Sequence, residues 1–170
     1  NNRGQLGDAT TINKSLPVLI DGTNTYKSVS LGYYHTCAIR SDNQLYCWGR
    51  NNYRQLGDGT STTRTIPTLI NSGSTYNSLS MGSYHSCGIK TDNSLYCWGR
   101  NTYGQMGDGT VIQKSTPTLI DTGSTYMKVT GGIEHTCGIK FDGKVYCWGY
   151  NNFGQLGVNV TDTSIPNEIN

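Results

Sequence analysis

The sequence HTCAIRSDNQLYCWG occupies residues 35–49, and it recurs with few changes as HSCGIKTDNSLYCWG at 85–99 and as HTCGIKFDGKVYCWG at 135–149. In the first copy, two runs of β-forming residues flank the segment Ser41-Asp42-Asn43. Aspartate favours a turn, and Asn or Gly at the end of the turn tolerates a positive φ. The sequence therefore predicts a β-hairpin in every copy, with strands over 35–40 and 44–48 in the first.

The repeat extends beyond the hairpin and has a period of 50 residues, without gaps over most of the chain. It divides the chain into three units, residues 21–70, 71–120 and 121–170, and residues 1–20 repeat the last part of a unit. Only the final unit slips, because Pro166 lies one place earlier than Pro67 and Pro117 predict. Further strands are expected over 26–31 and around 65–70, so that each unit contains four short strands.

Four short strands in every 50-residue unit are typical of a β-propeller, in which each unit forms one antiparallel blade. A solenoid is the alternative, but the hairpin and turn signals inside each unit favour blades. The sequence therefore predicts an all-β protein, a β-propeller of four-stranded antiparallel blades. Within this one propeller domain the three repeats form an arc, and residues 1–20 supply the closing strand of a preceding blade.

The positions that the three units share carry a family resemblance. Each unit contains Gly-x-x-His-[Ser/Thr]-Cys, then Tyr-Cys-Trp-Gly-x-Asn and finally Gln-[Leu/Met]-Gly, beginning at Gly32 in the first unit. This pattern resembles the regulator of chromosome condensation repeat. More closely, it is similar to the secreted, cysteine-paired type found in bacterial and protist proteins described as alpha-tubulin suppressor-like. The resemblance covers essentially the whole chain and implies a propeller that usually closes with seven blades.

The six cysteines fall in three pairs with identical spacing across the predicted hairpins. If the turn is a three-residue loop, Cys37 faces Cys47 at a non-hydrogen-bonded site, where side chains approach closely. The alternative is a metal site, because His35 would lie on the same strand face, but the tight spacing of many zinc sites is missing. We expect no metal and three disulfides, Cys37–Cys47, Cys87–Cys97 and Cys137–Cys147.

Disulfides form and persist in oxidising compartments, so the cysteine pairs predict an extracellular or periplasmic, secreted protein. Two tripeptides match the acceptor motif for N-glycosylation, which makes Asn13 and Asn159 candidate glycosylation sites in a eukaryotic source. Such tripeptides also arise by chance in a chain rich in Asn and Thr, so they add little to the prediction of secretion.

The composition excludes several classes of partner. Charged residues make up 14% of the chain and the net charge is +2, without a basic run. A protein that binds nucleic acid or an anionic membrane surface would carry a basic patch. The apolar stretches are only a few residues long, whereas a membrane-spanning helix needs about 20. We therefore expect no nucleic-acid partner and no membrane span.

Histidine is the usual acid–base residue of enzymes, but His35, His85 and His135 recur at the same position of each unit. Residues that the architecture needs repeat with the architecture, so we interpret these histidines as structural. The chain shows no carboxylate pair, no nucleophile elbow and no phosphate-binding loop. We predict neither catalytic residues nor a cofactor, and hence a protein that is not an enzyme.

The repeated tryptophans Trp48, Trp98 and Trp148 are expected between neighbouring blades, so binding must lie where the units differ. The loop between the shared Gly and His varies, and aromatic residues follow the third strand of each unit. Tyrosines on such loops are good contact residues because they are amphipathic and have few rotamers. The candidate binding residues are Tyr33, Tyr34, Tyr84, Tyr53 and Tyr103, and the alternative is that they only pack the loops.

We interpret the chain as a non-enzymatic extracellular propeller that serves as a protein-interaction or structural module. An arc of blades leaves apolar faces exposed, and a protein partner, further copies in a ring or filament, or the rest of a longer chain would cover them. A carbohydrate-binding propeller is the alternative, because aromatic and polar residues share its loops. A regulator of the guanine-nucleotide-exchange type is less favoured, because disulfides disagree with a nuclear setting.

Overall fold

The computed structural model describes residues 1–169, and this part of the chain contains strands and no helix. Eleven strands follow one another along the described residues: β1 Tyr26–Leu31, β2 His35–Arg40, β3 Gln44–Gly49, β4 Arg64–Met81, β5 His85–Lys90, β6 Leu95–Gly99, β7 Lys114–Ile120, β8 Tyr126–Gly131, β9 His135–Lys140, β10 Val145–Gly149 and β11 Thr163–Glu168. The strands predicted over 26–31 and 35–40 have the predicted bounds, and the third ends one residue later than expected.

The strands form three antiparallel sheets of four strands each, as the sequence predicts. The long strand β4 belongs to two of them, because its residues 64–70 pair with β3 and its residues 76–81 pair with β5. Blade 1 consists of β1, β2, β3 and residues 64–70. Blade 2 consists of residues 76–81, β5, β6 and β7, and blade 3 of β8, β9, β10 and β11. The fold is therefore an all-β propeller arc.

The segment 1–20 differs from its prediction as the closing strand of a preceding blade. Its first ten residues form the same turn-rich loop that follows β3 and β6 in the later units. Residues 15–20, which correspond to the fourth strand of a blade, adopt no strand. The physical reason is that a strand needs a neighbour for its backbone hydrogen bonds, and no strand among residues 1–169 pairs with this segment.

The hairpin register agrees with the register that the turn predicts. Cys37 lies opposite Cys47 and Ile39 opposite Leu45, and Asn43 closes the turn with a left-handed φ of 70°. Each cysteine pair is joined by a disulfide with a Cα–Cα distance of 4.1 Å, and no free cysteine occurs among the described residues. This short distance is typical of a non-hydrogen-bonded pair. The thiols are thus not free to bind a metal.

Alternation along the strands gives every blade two faces, which we name the tryptophan face and the cystine face. The cystine face of blade 1 packs against the tryptophan face of blade 2, where Trp98 and Tyr76 join Cys37, Ile39 and Leu45 in one buried cluster. Blades 2 and 3 repeat this contact with Trp148 and Tyr126. All three tryptophans are buried, as predicted, and each contact between blades has its own apolar core.

A chain of buried hydrogen bonds accompanies the apolar contact between blades 1 and 2. The backbone carbonyl of Gln55 accepts from Trp98 Nε1 at 2.9 Å and from Ser86 Oγ at 2.7 Å. His35 Nε2 lies 2.9 Å from the same Ser86 Oγ. Because the only proton of Ser86 is given to Gln55, His35 must donate from Nε2. The chain therefore fixes one tautomer of the imidazole.

The same chain recurs between blades 2 and 3, where His85 Nε2 lies 2.9 Å from Thr136 Oγ1 and Thr136 donates to the Gln105 carbonyl at 2.7 Å. Trp148 packs in the equivalent place, although its Nε1 has no partner within the described residues. The structural role of the histidines was predicted from the sequence, but their partners across the interface were not. The one sign of these partners in the sequence is that residues 36, 86 and 136 are all Ser or Thr.

The two interior histidines are neutral. Burial lowers the pKa of both His35 and His85 to about 3, and Nδ1 of each ring is buried without a hydrogen-bond partner among residues 1–169. A protonated ring would place an unpaired charge between two blades, which is costly. The histidines are thus structural, as the sequence predicts.

We expect stability to fall below neutral pH because of these histidines. Above pH 6.5 the folded and unfolded chains both carry neutral imidazoles, whereas below it only the unfolded chain takes up protons. The free energy of unfolding should then decrease by about 1.4 kcal/mol per pH unit for each buried histidine. Urea denaturation between pH 7 and pH 5 tests this, since carboxyl groups titrate mainly at lower pH. An unchanged midpoint over that range would contradict the assignment.

We expect Trp98→Ala to lower the free energy of unfolding by about 3–5 kcal/mol, because it empties the centre of the blade 1–blade 2 contact. The matched control is Phe153→Ala, because Phe153 is 86% exposed and should leave stability nearly unchanged. Both values follow from urea denaturation monitored by circular dichroism. If the two variants were equally stable, Trp98 would not be a core residue.

We expect non-reducing peptide mapping to recover only the three disulfides within blades. Each bond closes a short loop and contributes about 2–3 kcal/mol in the chain-entropy model. Recovery of a bond between blades, or of free thiols in protein that was never exposed to reductant, would contradict both the pairing and the oxidising compartment.

Candidate functional site

Two sets of loops emerge at the same end of all blades, because consecutive strands of each blade are antiparallel. The first set joins the first and second strands, and it contains Tyr33, Tyr34 and their counterparts in the other blades. The second set follows the third strand. Backbone hydrogen bonds connect the two sets within a blade, for example from Arg50 N to the Tyr34 carbonyl at 2.8 Å. Both variable regions singled out in the sequence thus meet on one surface.

Four of the five candidate tyrosines form one cluster across blades 1 and 2. The ring centroids of Tyr33 and Tyr34 are 4.4 Å apart, and those of Tyr33 and Tyr84 are 6.0 Å apart. Tyr53 reaches Tyr84 with a centroid distance of 5.2 Å. All three contacts are edge-to-face, a favourable geometry for aromatic pairs. The structure therefore brings together residues that are up to 51 positions apart.

The fifth tyrosine, Tyr103, joins this cluster through Arg100. The Arg100 guanidinium lies 5.3 Å from the ring centroid of Tyr53 and 5.8 Å from that of Tyr103. Tyr103 in turn lies 4.8 Å from Tyr150, which contacts Phe153 at 6.1 Å. Cation–π contacts of this kind stabilise partly exposed side chains. An unbroken row of aromatic and cationic groups thus crosses all three blades.

Charge on this row is unevenly distributed. Arg50 lies over Tyr34 and Tyr53, at 5.6 and 5.7 Å from the ring centroids. Arg100 forms an ion pair with Glu134, with 2.7 Å between Nη1 and Oε1. Burial raises the pKa of Glu134, although the neighbouring Arg100 opposes that rise. The row therefore contains two guanidinium groups and one carboxylate, and the carboxylate pairs with Arg100 only.

We name this row the tyrosine–arginine surface, and it consists of Tyr33, Tyr34, Arg50, Tyr53, Tyr84, Arg100, Tyr103, Glu134, Tyr150 and Phe153. Tyr33 is 62% exposed and Phe153 is 86% exposed, whereas the tyrosines between them are partly buried. The rings thus pack against one another and still present their edges to solvent. The tyrosines therefore pack the loops, and their role as contact residues stays a prediction.

The charged members of the surface were not among the residues predicted from the sequence. Arg50, Arg100 and Tyr150 all occupy the position after the shared Trp-Gly, and that position varies between units. Glu134 is the only acidic residue at its position in the first loop set. These differences were visible, but the contact between Arg100 and Glu134 joins different units, and no spacing within one repeat reveals it.

Two openings were candidates for a metal or ligand site, and Tyr33 of the tyrosine–arginine surface lines the first of them. The inner ends of the three blades surround a cavity of about 390 Å³, lined among others by Gly32, Gly82 and Gly132. Another cavity, of about 550 Å³, lies between the segment 1–20 and β4. Neither contains a group of three metal-ligating side chains, and no such group occurs within residues 1–169.

Two other features concern the predicted modification and membrane properties. The predicted glycosylation sites Asn13 and Asn159 are both exposed. Over the described residues, we find no helical segment with the length and apolar character that crossing a bilayer would require.

Solved structures with the same fold come from several eukaryotes. The crystal structure of human WBSCR16 is 21% identical, with a TM-score of 0.87, and the match covers 100% of this chain and 46% of that one. Prp20p from Saccharomyces cerevisiae is 22% identical, with a TM-score of 0.86 and coverages of 100% and 45%. The ectodomain of the Arabidopsis thaliana receptor kinase ACR4 is 26% identical, with a TM-score of 0.52 and coverages of 83% and 45%.

The chain spans less than half the length of each of these proteins. No curated protein sequence matches it. Two family models described as the Regulator of chromosome condensation (RCC1) repeat do match, one over residues 26–55, 77–105 and 128–155 and the other over 1–39, 42–89, 92–139 and 142–170. Together with the repeated blade and its sequence pattern, these matches confirm the resemblance, and the chain belongs to the RCC1 repeat family.

Proposed function

We propose that the chain is a protein-interaction propeller whose binding site is the tyrosine–arginine surface. The observation that supports this proposal is the continuity of the row, in which every aromatic ring contacts another ring or a guanidinium across three blades. Tyrosine and arginine are enriched among the residues that dominate binding energy in protein interfaces. Rings that already pack against one another lose little conformational entropy when a partner binds.

Relatives of known structure support protein binding in general terms. The yeast structure is described with the binding properties of Prp20p to Gsp1p and histones, and a second yeast structure contains Kap60 bound to the same protein. These partners belong to Prp20p. For the present chain they favour a protein partner over a small-molecule ligand, and they leave the guanine-nucleotide-exchange type as a second candidate.

We further propose that the protein acts in an extracellular or periplasmic compartment. Three disulfides support this location, because reducing compartments do not maintain such bonds. The plant receptor-kinase ectodomains provide a second argument, since they share 26% identity with this chain. In a eukaryotic source, the exposed Asn13 and Asn159 would then be glycosylated. A nuclear exchange regulator fits the disulfides less well.

The proposed activity is non-enzymatic. The residues with the best acid–base chemistry, His35 and His85, are buried and fixed in the contacts between blades. A carbohydrate-binding propeller remains the main alternative, because exposed aromatic rings such as Tyr33 and Phe153 can stack on sugar rings.

Contact with further blades is a separate proposal. Val29 and Leu31, on the tryptophan face of blade 1, are 63% and 68% exposed. The cystine face of blade 3 is open as well, around Ile139 and Val145. At the contacts between blades 1 and 2 and between blades 2 and 3, the neighbouring blade covers the same positions. We therefore expect the rest of a longer chain, or another copy in a ring or a filament, on these two open faces. Light scattering on the purified chain distinguishes a ring or a filament of copies from a monomer.

We expect Tyr33→Ala and Tyr53→Ala each to weaken partner binding at least tenfold, because truncation of a central tyrosine commonly removes more than about 1.4 kcal/mol. The matched control is Phe141→Ala, since Phe141 is 55% exposed but lies on a turn at the opposite end of the blades. Partners are first identified by cross-linking in extracellular material, and the purified pair is then measured by calorimetry.

Equal losses at Phe141 and at the tyrosines, or no loss at any of them, would contradict the proposal. A glycan array run with the same variants tests the alternative. Specific glycan binding that Tyr33→Ala abolishes would favour the carbohydrate-binding propeller.

A further inference from the structure

The contact between blades 2 and 3 contains a complete carboxylate site. Glu134 Oε1 accepts from Arg100 Nη1 at 2.7 Å, and Glu134 Oε2 accepts from Gln105 Nε2. Each carboxylate oxygen therefore has its own donor. Gln105 is fully buried, and its amide orientation is set by a hydrogen bond from Tyr103 N to Oε1 at 2.9 Å.

The contact between blades 1 and 2 contains the same donors without the carboxylate. Arg50 and Gln55 occupy the positions of Arg100 and Gln105, but the residue that corresponds to Glu134 is Tyr84. Gln55 is oriented in the same way, since Tyr53 N donates to its Oε1 at 2.9 Å. Its Nε2 and the Nε of Arg50 are both buried, and neither has a hydrogen-bond partner within the described residues.

The orphaned Gln55 Nε2 points to a ligand, because the corresponding Gln105 Nε2 donates to Glu134. The orphaned Nε of Arg50 corresponds to Arg100 Nε, which donates to Thr102 Oγ1 at 3.2 Å within its own loop. Buried polar groups in native proteins nearly always have partners, and an arginine side chain keeps its charge in proteins. Arg50 has no carboxylate near it in the part of the chain that the structure describes, whereas Arg100 is neutralised by Glu134. Gln55 is 0% exposed, so its free amide is a built feature rather than a group that water satisfies at the surface.

We propose that Arg50 and Gln55 form a receptor for one carboxylate of a protein partner, the side chain of an Asp or Glu residue. A planar group with two oxygens matches a guanidinium Nη and a glutamine amide, the two donors that hold Glu134 in the neighbouring contact. Tyr84 covers the site. Its partly buried side chain is held by ring contacts with Tyr33 and Tyr53, and it turns aside when the acidic side chain enters. This inference rests on the proposed function and specifies the partner's chemistry.

The direct test follows the Nε–Hε resonance of Arg50 by NMR in the intact chain, with assignment from its loss in Arg50→Lys. The probe is the peptide acetyl-Gly-Glu-Gly-amide, and the control is the same peptide with Gln. We expect the Glu peptide to shift the Arg50 resonance in a saturable way and the Gln peptide to leave it unchanged. No shift up to about 50 mM Glu peptide, enough to fill a millimolar site, would overturn the proposal.

Two exchanged variants make the test specific. Tyr84→Glu should supply the missing carboxylate from within the chain, so the Arg50 resonance should lie at its shifted position without peptide and no longer respond. Glu134→Tyr should release Arg100, whose Nε–Hε resonance should then begin to respond to the Glu peptide. Tyr84→Phe, which keeps the ring, should respond like the unmodified chain. A normal peptide response in Tyr84→Glu would overturn the proposal.

The outcome can be separated from that of the proposed function. If Arg50→Gln left partner binding unchanged while Tyr33→Ala abolished it, the interaction surface would stand and the carboxylate receptor would fall. If partner binding were insensitive to every surface variant but the Arg50 resonance responded to the Glu peptide, the receptor would stand without the proposed partner site. If the surface variants did not change partner binding and the Arg50 resonance did not respond to the Glu peptide, both proposals would be wrong.

Discussion

At each contact between blades, the backbone carbonyl of one glutamine accepts the hydrogen bonds that orient the next blade. The carbonyl of Gln55 receives the Trp98 indole and the Ser86 hydroxyl, and that hydroxyl in turn holds the His35 imidazole. Gln5 serves blade 1 in the same way, because its carbonyl accepts from Thr36 Oγ1 at 2.9 Å and from Trp48 Nε1 at 3.0 Å. In the buried contact between two sheets, such a network both satisfies polar groups and fixes the orientation of one blade on the next. The apolar core adds free energy to this contact, while the hydrogen bonds make its geometry specific.

This arrangement explains why the binding candidates cluster. The side chain of Gln55 accepts a hydrogen bond from its own loop, and its backbone carbonyl accepts two from the next blade. The loops on either side are thereby held in register, and Tyr53 of one blade meets Tyr84 of the next. The fold thus places aromatic side chains of two blades together at each blade contact, and the identity of residues 84 and 134 decides the charge there. Rigid strands support the variable loops, as in many binding scaffolds.

The parts that the sequence predicts are those that depend on local geometry. A three-residue turn that ends in Asn43 or Gly143 determines the hairpin register, and the register determines which cysteines pair. The period of the repeat predicts the blades, and the alternation of large side chains predicts buried tryptophans. Contacts between units could not be found in this way, because Arg100 and Glu134 are 34 residues apart and differ from their counterparts. Residues 15–20 show the opposite case, in which a strand-like sequence lacks the neighbour that would make it a strand.

The close approach of Gly57 to Trp98 has a consequence for how such chains grow. A Cβ on Gly57 would lie 2.7 Å from Trp98 Nε1, and one on Gly107 would lie 2.5 Å from Trp148 Nε1. Each glycine therefore accommodates a tryptophan of the following unit. Duplication or loss of any stretch one period long keeps a matching glycine before every tryptophan, wherever in the unit the break falls. An insertion of another length separates the two halves of a contact. The contact between two blades is hence what a gain or loss of whole periods preserves.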